Sequence, residues 1–285
     1  MAKRKNLSAE KEMSFLDHLE ELRWHLIRST LAIVILSTIA FLAKDFIFDV
    51  LIFGPKHADF PTYQILCQMA QAIGVKESFC FTELPFRIQS RTMGGQFSAH
   101  IWTSITAGFI VAFPYILHEM WKFISPGLKM KERSSARGFI FIASILFFIG
   151  VLFGYYVVTP LSINFLGTYQ VSGEVHNDFD LSSYISLVRA SVVASGLIFE
   201  LPILIYILTK LGVVTPQILK KYRKFSLVFV LILSAIITPP DIASQIIVSV
   251  PILILYEISI FISKAVIRKQ EKLLKKEAKK SDLKD

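Results

Sequence analysis

Ala190 to Thr209 reads ASVVASGLIFELPILIYILT, and Glu200 is its one Asp, Glu, Lys or Arg. A run of about 20 apolar residues is long enough to cross a bilayer as a helix. A carboxylate inside it costs roughly 2.5–3.5 kcal/mol on insertion scales, so its presence requires a role. Pro202 follows two residues later and removes a backbone hydrogen bond at the same depth. A charge and a helix breaker this close together mark a site in a membrane protein.

Composition supports that reading. The 285-residue chain is 53% hydrophobic, has 24 Phe and a mean hydropathy of +0.55, and its apolar residues are gathered into runs. The helices of a soluble domain would instead alternate polar and apolar faces. The net charge is +9. That excess sits at the ends of apolar runs, which suits anionic lipid headgroups and insertion topology and argues against nucleic acid as a partner. The first apolar run begins only near residue 26, after a mixed-charge segment, and is expected to be a retained span, not a cleaved signal.

The expected fold is an all-α membrane protein with six transmembrane helices, at roughly 26–43, 97–118, 138–160, 187–209, 225–237 and 242–262. An even number of spans puts both termini on one side. Lys and Arg crowd the N-terminal segment, the connection holding Lys129, Lys131, Arg133 and Arg137, that holding Lys210, Lys220, Lys221, Arg223 and Lys224, and the tail from Lys264. Residues 161–184 have neither and carry Glu174, Asp178 and Asp180. By the positive-inside rule both termini are cytoplasmic. The fifth and sixth spans are expected to be short. The fifth, at about 20–24 Å, falls below a hydrocarbon core of about 30 Å, which calls for local thinning or a shallow hairpin. The organisation is therefore a cytoplasmic amphipathic segment over 1–25, a transmembrane domain over 26–262 with a long outer loop at 45–96, and a basic cytoplasmic tail over 263–285. The tail is expected to lie on anionic lipid.

Outside the spans, acids stand out on a basic face. Ser14 to Asp17 is a capping-box pattern, followed by Leu19, Leu22 and Leu26 at helical spacing. Asp17, Glu20 and Glu21 share one face of that helix, with His18 and Arg23 nearby. This is either a solvated interfacial helix or a carboxylate surface for a cationic partner. Glu132 follows the Pro126-Gly127 turn, beside the membrane at the head of span three, where it pairs locally with arginine or joins that surface. Cys67 and Cys80, both in the outer loop, match no metal-ligand spacing. A disulfide closing that loop and two free thiols are both open.

These pieces together resemble TatC, the polytopic core of twin-arginine protein translocases. The resemblance is carried in order by Phe15-Leu16-Asp17-His18-Leu19-Glu20-Glu21-Leu22-Arg23, Ala112-Phe113-Pro114-Tyr115, and Trp121 to Leu128 with Glu132. It continues through Phe199-Glu200-Leu201-Pro202, Thr238-Pro239-Pro240-Asp241 with Ser244-Gln245, and Tyr256-Glu257. It implies a receptor for signal peptides bearing two consecutive arginines, driven by the proton-motive force, with no cofactor. Glu21 and Glu132 would be the signal-binding acids, with His18, Glu20, Arg23, Phe123 and Pro126 around them. Glu200 either meets a polar group on a partner helix, holds water that thins the membrane locally, or is paired inside the bundle; the resemblance implies the first, an intramembrane polar site with Pro202 and Gln245 for the single-span partners TatA and possibly TatB. The chain would assemble as a homo-oligomer within a larger complex in the inner membrane of a bacterium.

Guanidinium pairs with carboxylate through two parallel hydrogen bonds, which lysine cannot reproduce. An enzyme is not expected: no HExxH, GxSxG or P-loop pattern occurs and the histidines are scattered. The rival is a proton-coupled secondary transporter with Glu200 at its midplane, but no second segment repeats the Glu200 pattern.

Overall fold

The computed structural model describes residues 15–72, 80, 84, 86–124, 136–238 and 241–281, without the side chains of 15–18, 136, 137, 139, 243, 273, 274 and 276–281. The order is α1 (Phe15–Leu42), α2 (Pro61–Ala72), β1 (Arg87–Gln89), α3 (Gly95–Ile124), α4 (Ala136–Phe153), α5 (Thr159–Thr168), β2 (Asp178–Asp180), α6 (Leu181–Phe199), α7 (Leu201–Lys210), α8 (Pro216–Lys221), α9 (Arg223–Ile237) and α10 (Ile242–Ser281). Among the described residues, five helical stretches are long and apolar enough to cross a membrane: Leu19–Leu42, Gly95–Ile124, Ile140–Thr168, Leu181–Lys210 and Ser244–Lys272.

Of the residues expected to form a cytoplasmic amphipathic segment, 15–25 continue unbroken into the first span as α1, and 1–14 lie outside the described residues. α9 has 15 residues, about 22 Å of helix, and stays below spanning length. The expectation of a short sixth span is corrected. α10 runs for 40 residues, because nothing between Pro251 and Ser281 interrupts the helix and the tail is rich in helix-forming Lys, Glu and Leu.

Small residues set the helix–helix contacts, as expected where lipid offers no hydrophobic drive. α1 and α3 pack antiparallel, and a Cβ on Gly108 would lie 2.5 Å from the Ser37 backbone nitrogen. α4 and α6 approach through three glycines. A Cβ on Gly150 would meet Ser195 O at 2.7 Å, one on the adjoining Gly154 would meet Ser191 O at 2.6 Å, and one on Gly196 would meet the Phe147 ring at 2.7 Å. Phe147 is wholly buried and stacks on Phe113 with ring centroids 3.5 Å apart, joining α3 to this pair.

The third span carries one wide, π-helical turn, Gly154–Val158, ahead of Pro160. Proline has no N–H to return to the carbonyl four residues back, so Tyr156 O loses its helical donor. The Thr62 hydroxyl, from α2, donates to that carbonyl instead. The loop thus caps the bundle by mending a break that proline makes.

Other hydroxyls complete this capped end. Tyr63 shares its hydroxyl between Pro55 O at 3.0 Å and Pro160 O at 3.1 Å, and burial pushes its ionisation above the ordinary phenol value, which keeps the donor proton in place. Tyr184 donates to Ile52 O at 2.9 Å. β1 and β2 pair in parallel, with Arg87 opposite Asp178. The Arg91 guanidinium reaches Asp178 O at 2.9 Å, while its backbone N–H donates to Asp180. Asp180 also accepts from Ser182 and so caps α6; the Ser182 hydroxyl, then the Arg91 backbone, hold its carboxyl below the usual range. The sequence alone gave the Arg87–Arg91 stretch no role; it latches the outer loop. Cys67 and Cys80 are joined, with Cα atoms 4.8 Å apart.

Two outcomes follow for stability. Gly108→Ala should destabilise the detergent-solubilised protein by about 1–3 kcal/mol, since the new methyl meets backbone, whereas Gly138→Ala, with open space around it, should be neutral or slightly stabilising. Thermal unfolding of the two variants checks this, and equal melting would contradict the close approach. Intact-mass spectrometry of the unreduced protein should find it lighter by two hydrogens than the reduced form.

Candidate functional site

At the end opposite the cap, α1 begins and α3 finishes, and charged side chains on the two helices converge. Glu21, His25 and Arg28 recur at helical spacing on one face of α1, as do Glu119, Lys122 and Phe123 on α3. Glu119 is only 1% exposed. A carboxylate that deep is tolerated when cations and hydrogen bonds surround it. Its Oε2 lies 2.7 Å from His25 Nδ1, and its Oε1 accepts from Lys122 Nζ at 3.0 Å. Arg28 Nη1 stands 3.8 Å from Oε2.

His25 bridges outward from this pair. Its Nε2 is 4.0 Å from Glu21 Oε1, and its ring meets Phe123 edge-on with centroids 6.3 Å apart. Glu21, Trp24, His25 and Arg28 line an open recess of about 370 Å³. Glu21 Oε2 is buried there with no hydrogen-bond partner among the described residues. On the opposite side of α1 lies an open groove of about 580 Å³, lined by Leu19, Leu22, Leu26, Ile27, Leu31 and Val34 with Arg23 and Thr30.

The expected site residues fare differently. Glu21 and Phe123 come together around His25, while Glu20 and Arg23 are exposed on α1. Glu132, Pro126 and the side chain of His18 lie outside the described residues, as do Pro239 and Pro240. Glu119, His25 and Arg28 escaped the sequence reading. Nothing in the chain announced that α1 and α3 cross there.

Deeper in the bundle, Glu200 separates α6 from α7, and its own carbonyl accepts from Ile203 and Leu204 N–H at 3.0 and 2.9 Å to start the second segment. Pro202 is buried. Glu200 Oε1 is buried without a hydrogen-bond partner among the described residues. So is Nε of half-buried Arg189, on the same helix. Eleven residues are three helical turns, so both side chains leave one face. Arg189 was missed because it bounds the uncharged run and was read as its edge. Gln245 is turned inward, donating to Leu231 O at 3.0 Å, and Asp241 caps α10 by accepting from Ser244 N–H at 2.7 Å. Pro114 lies within α3, which continues through it. Near the first end, Arg223 pairs with Glu257 and Tyr256 donates to Leu219 O at 2.8 Å, fixing α8 and α9 to α10.

Comparison with known proteins places this architecture. The family model described as Sec-independent protein translocase protein (TatC) matches residues 17–251. The TatC protein of Blattabacterium sp. subsp. Periplaneta americana is 44% identical over 260 residues, covering 91% of this chain and 98% of that protein. That of Aquifex aeolicus is 35% identical over 266 residues, covering 92% and 100%. A crystal structure of the twin-arginine translocase receptor TatC superposes with a TM-score of 0.66 at 32% identity, covering 88% of this chain and 99% of that one. A second, in the detergent DDM, gives 0.68 at 33% identity, covering 86% and 99%. The chain belongs to the TatC family and is a multi-pass membrane component of a Sec-independent protein translocase, a transport protein by family and not a catalytic one.

Proposed function

We propose that the chain is the receptor of a twin-arginine translocation system, binding signal peptides of folded cargo through Glu21 and Glu132 at the cytoplasmic face. One observation carries this reading: Glu21 lines an open recess and has a buried carboxylate oxygen without a hydrogen-bond partner among the described residues. Exposed ion pairs contribute only about 0.2–1 kcal/mol, too little to separate arginine from lysine. A partly desolvated acid accepting a guanidinium does better, at about 1.5–3 kcal/mol per charged hydrogen bond.

In this reading His18, Glu20, Arg23, Phe123 and Pro126 border the site. Both termini are cytoplasmic and the protein sits in a bacterial inner membrane, with α9 as a sixth, short crossing in a locally thinned bilayer. Anionic lipids meet its basic segments. Glu200, with Pro202 and Gln245, serves as the docking point for the transmembrane helices of TatA and, where present, TatB, because an unpaired carboxylate oxygen in a bundle favours a polar group on a neighbouring helix. Cargo passage then requires several copies and partners, powered by the proton-motive force.

Glu21→Gln and Glu132→Gln should each weaken binding of a twin-Arg peptide to the purified protein by roughly 10–100-fold. A twin-Lys peptide should bind the unaltered protein comparably poorly. Equal affinity of the unaltered protein for both peptides would end the receptor reading. Glu200→Leu should abolish crosslinking to a TatA helix while leaving peptide affinity unchanged. A thiol placed at Asp241 should react with an impermeant reagent from the outer side; protection there would remove the sixth crossing.

A further inference from the structure

We infer that Glu119 is a positioning residue for the twin-arginine site, holding the local cations on its own carboxylate so that Glu21 stays open to an incoming guanidinium. The inference rests on the receptor reading above and adds a residue to it. His25 stands between two acids, and the distances decide which one holds it. Nδ1 is 2.7 Å from Glu119, a hydrogen bond, whereas Nε2 is 4.0 Å from Glu21, beyond one. Lys122 is committed to Glu119 at 3.0 Å and Arg28 lies 3.8 Å from it.

Burial explains the preference. The Glu119 side chain is 2% exposed and that of Glu21 is 37% exposed. The same charge attracts more strongly where water is excluded. Glu119 and Glu21 together offset the fixed charges of Lys122 and Arg28, yet the deeper acid draws the contacts, and among the described residues the shallower one keeps an oxygen without a hydrogen-bond partner. Without the Glu119 charge, Arg28 and His25 would have Glu21 as their nearest acid. An arriving arginine would then meet a site already neutralised from within.

Titration of a synthetic twin-Arg signal peptide into the full-length protein in detergent tests this. Glu119→Gln should weaken binding by roughly tenfold, and adding Arg28→Gln should return affinity to within about threefold of the starting protein. A side chain that merely clamped α1 to α3 would not be rescued by removing an exposed arginine. Unchanged affinity in Glu119→Gln, or weakened affinity that Arg28→Gln leaves weak, would overturn the inference. Arg28→Gln alone keeps the question answerable if Glu119→Gln does not fold: it should tighten binding, and no gain would count against the idea. Glu21→Gln runs in parallel. If Glu21→Gln binds normally the receptor reading itself fails, whereas loss in Glu21→Gln alone sinks only the role given to Glu119.

Discussion

A carboxylate can stay ionised at the edge of a lipid-embedded bundle only if donors are fixed around it, and Glu119 is the place where this chain meets that condition. Its partners come from both α1 and α3, so the first and second spans are tied at the end away from the cap. The tie sets the height at which Glu21 projects, because Glu21, His25 and Arg28 move as one helical face. The proposed recess therefore depends on an interaction that never touches its ligand.

The two ends of the molecule solve different problems. At the capped end, the Tyr156 carbonyl that Pro160 leaves without a helical donor accepts from Thr62, the Pro160 and Ile52 carbonyls accept from Tyr63 and Tyr184, and the Arg91–Asp180 latch ties down the outer loop. At the other end, charged side chains line open space. Between them, helices approach through Gly108, Gly150, Gly154 and Gly196, which leaves little slack for tilting.

Much of the fold was legible in the chain because hydrocarbon length fixes the length of apolar runs. Five long stretches follow from the sequence alone, as does the break at Glu200 and Pro202. The continuity of α1 from Phe15 and the extension of α10 to Ser281 were not legible, since polar composition was read as an end of structure when it marks only departure from lipid. The site was half legible. Glu21 announced itself as an acid on a basic face, but His25, Arg28 and Glu119 gain meaning only from a crossing of helices 94 residues apart in sequence. Arg189 shows the same blindness: a charge at the edge of an apolar run looks like a boundary until the helix is seen to pass through it.

The central claim is that paired guanidinium groups are received in the recess bordered by Glu21, and proximity tests it most directly. A photoreactive side chain at Trp24, which lines that recess, should crosslink to a signal peptide at its arginine pair and lose the product when both arginines become lysines. A crosslink that forms equally well with the lysine peptide, or one that appears only from positions at the capped end, would contradict the account.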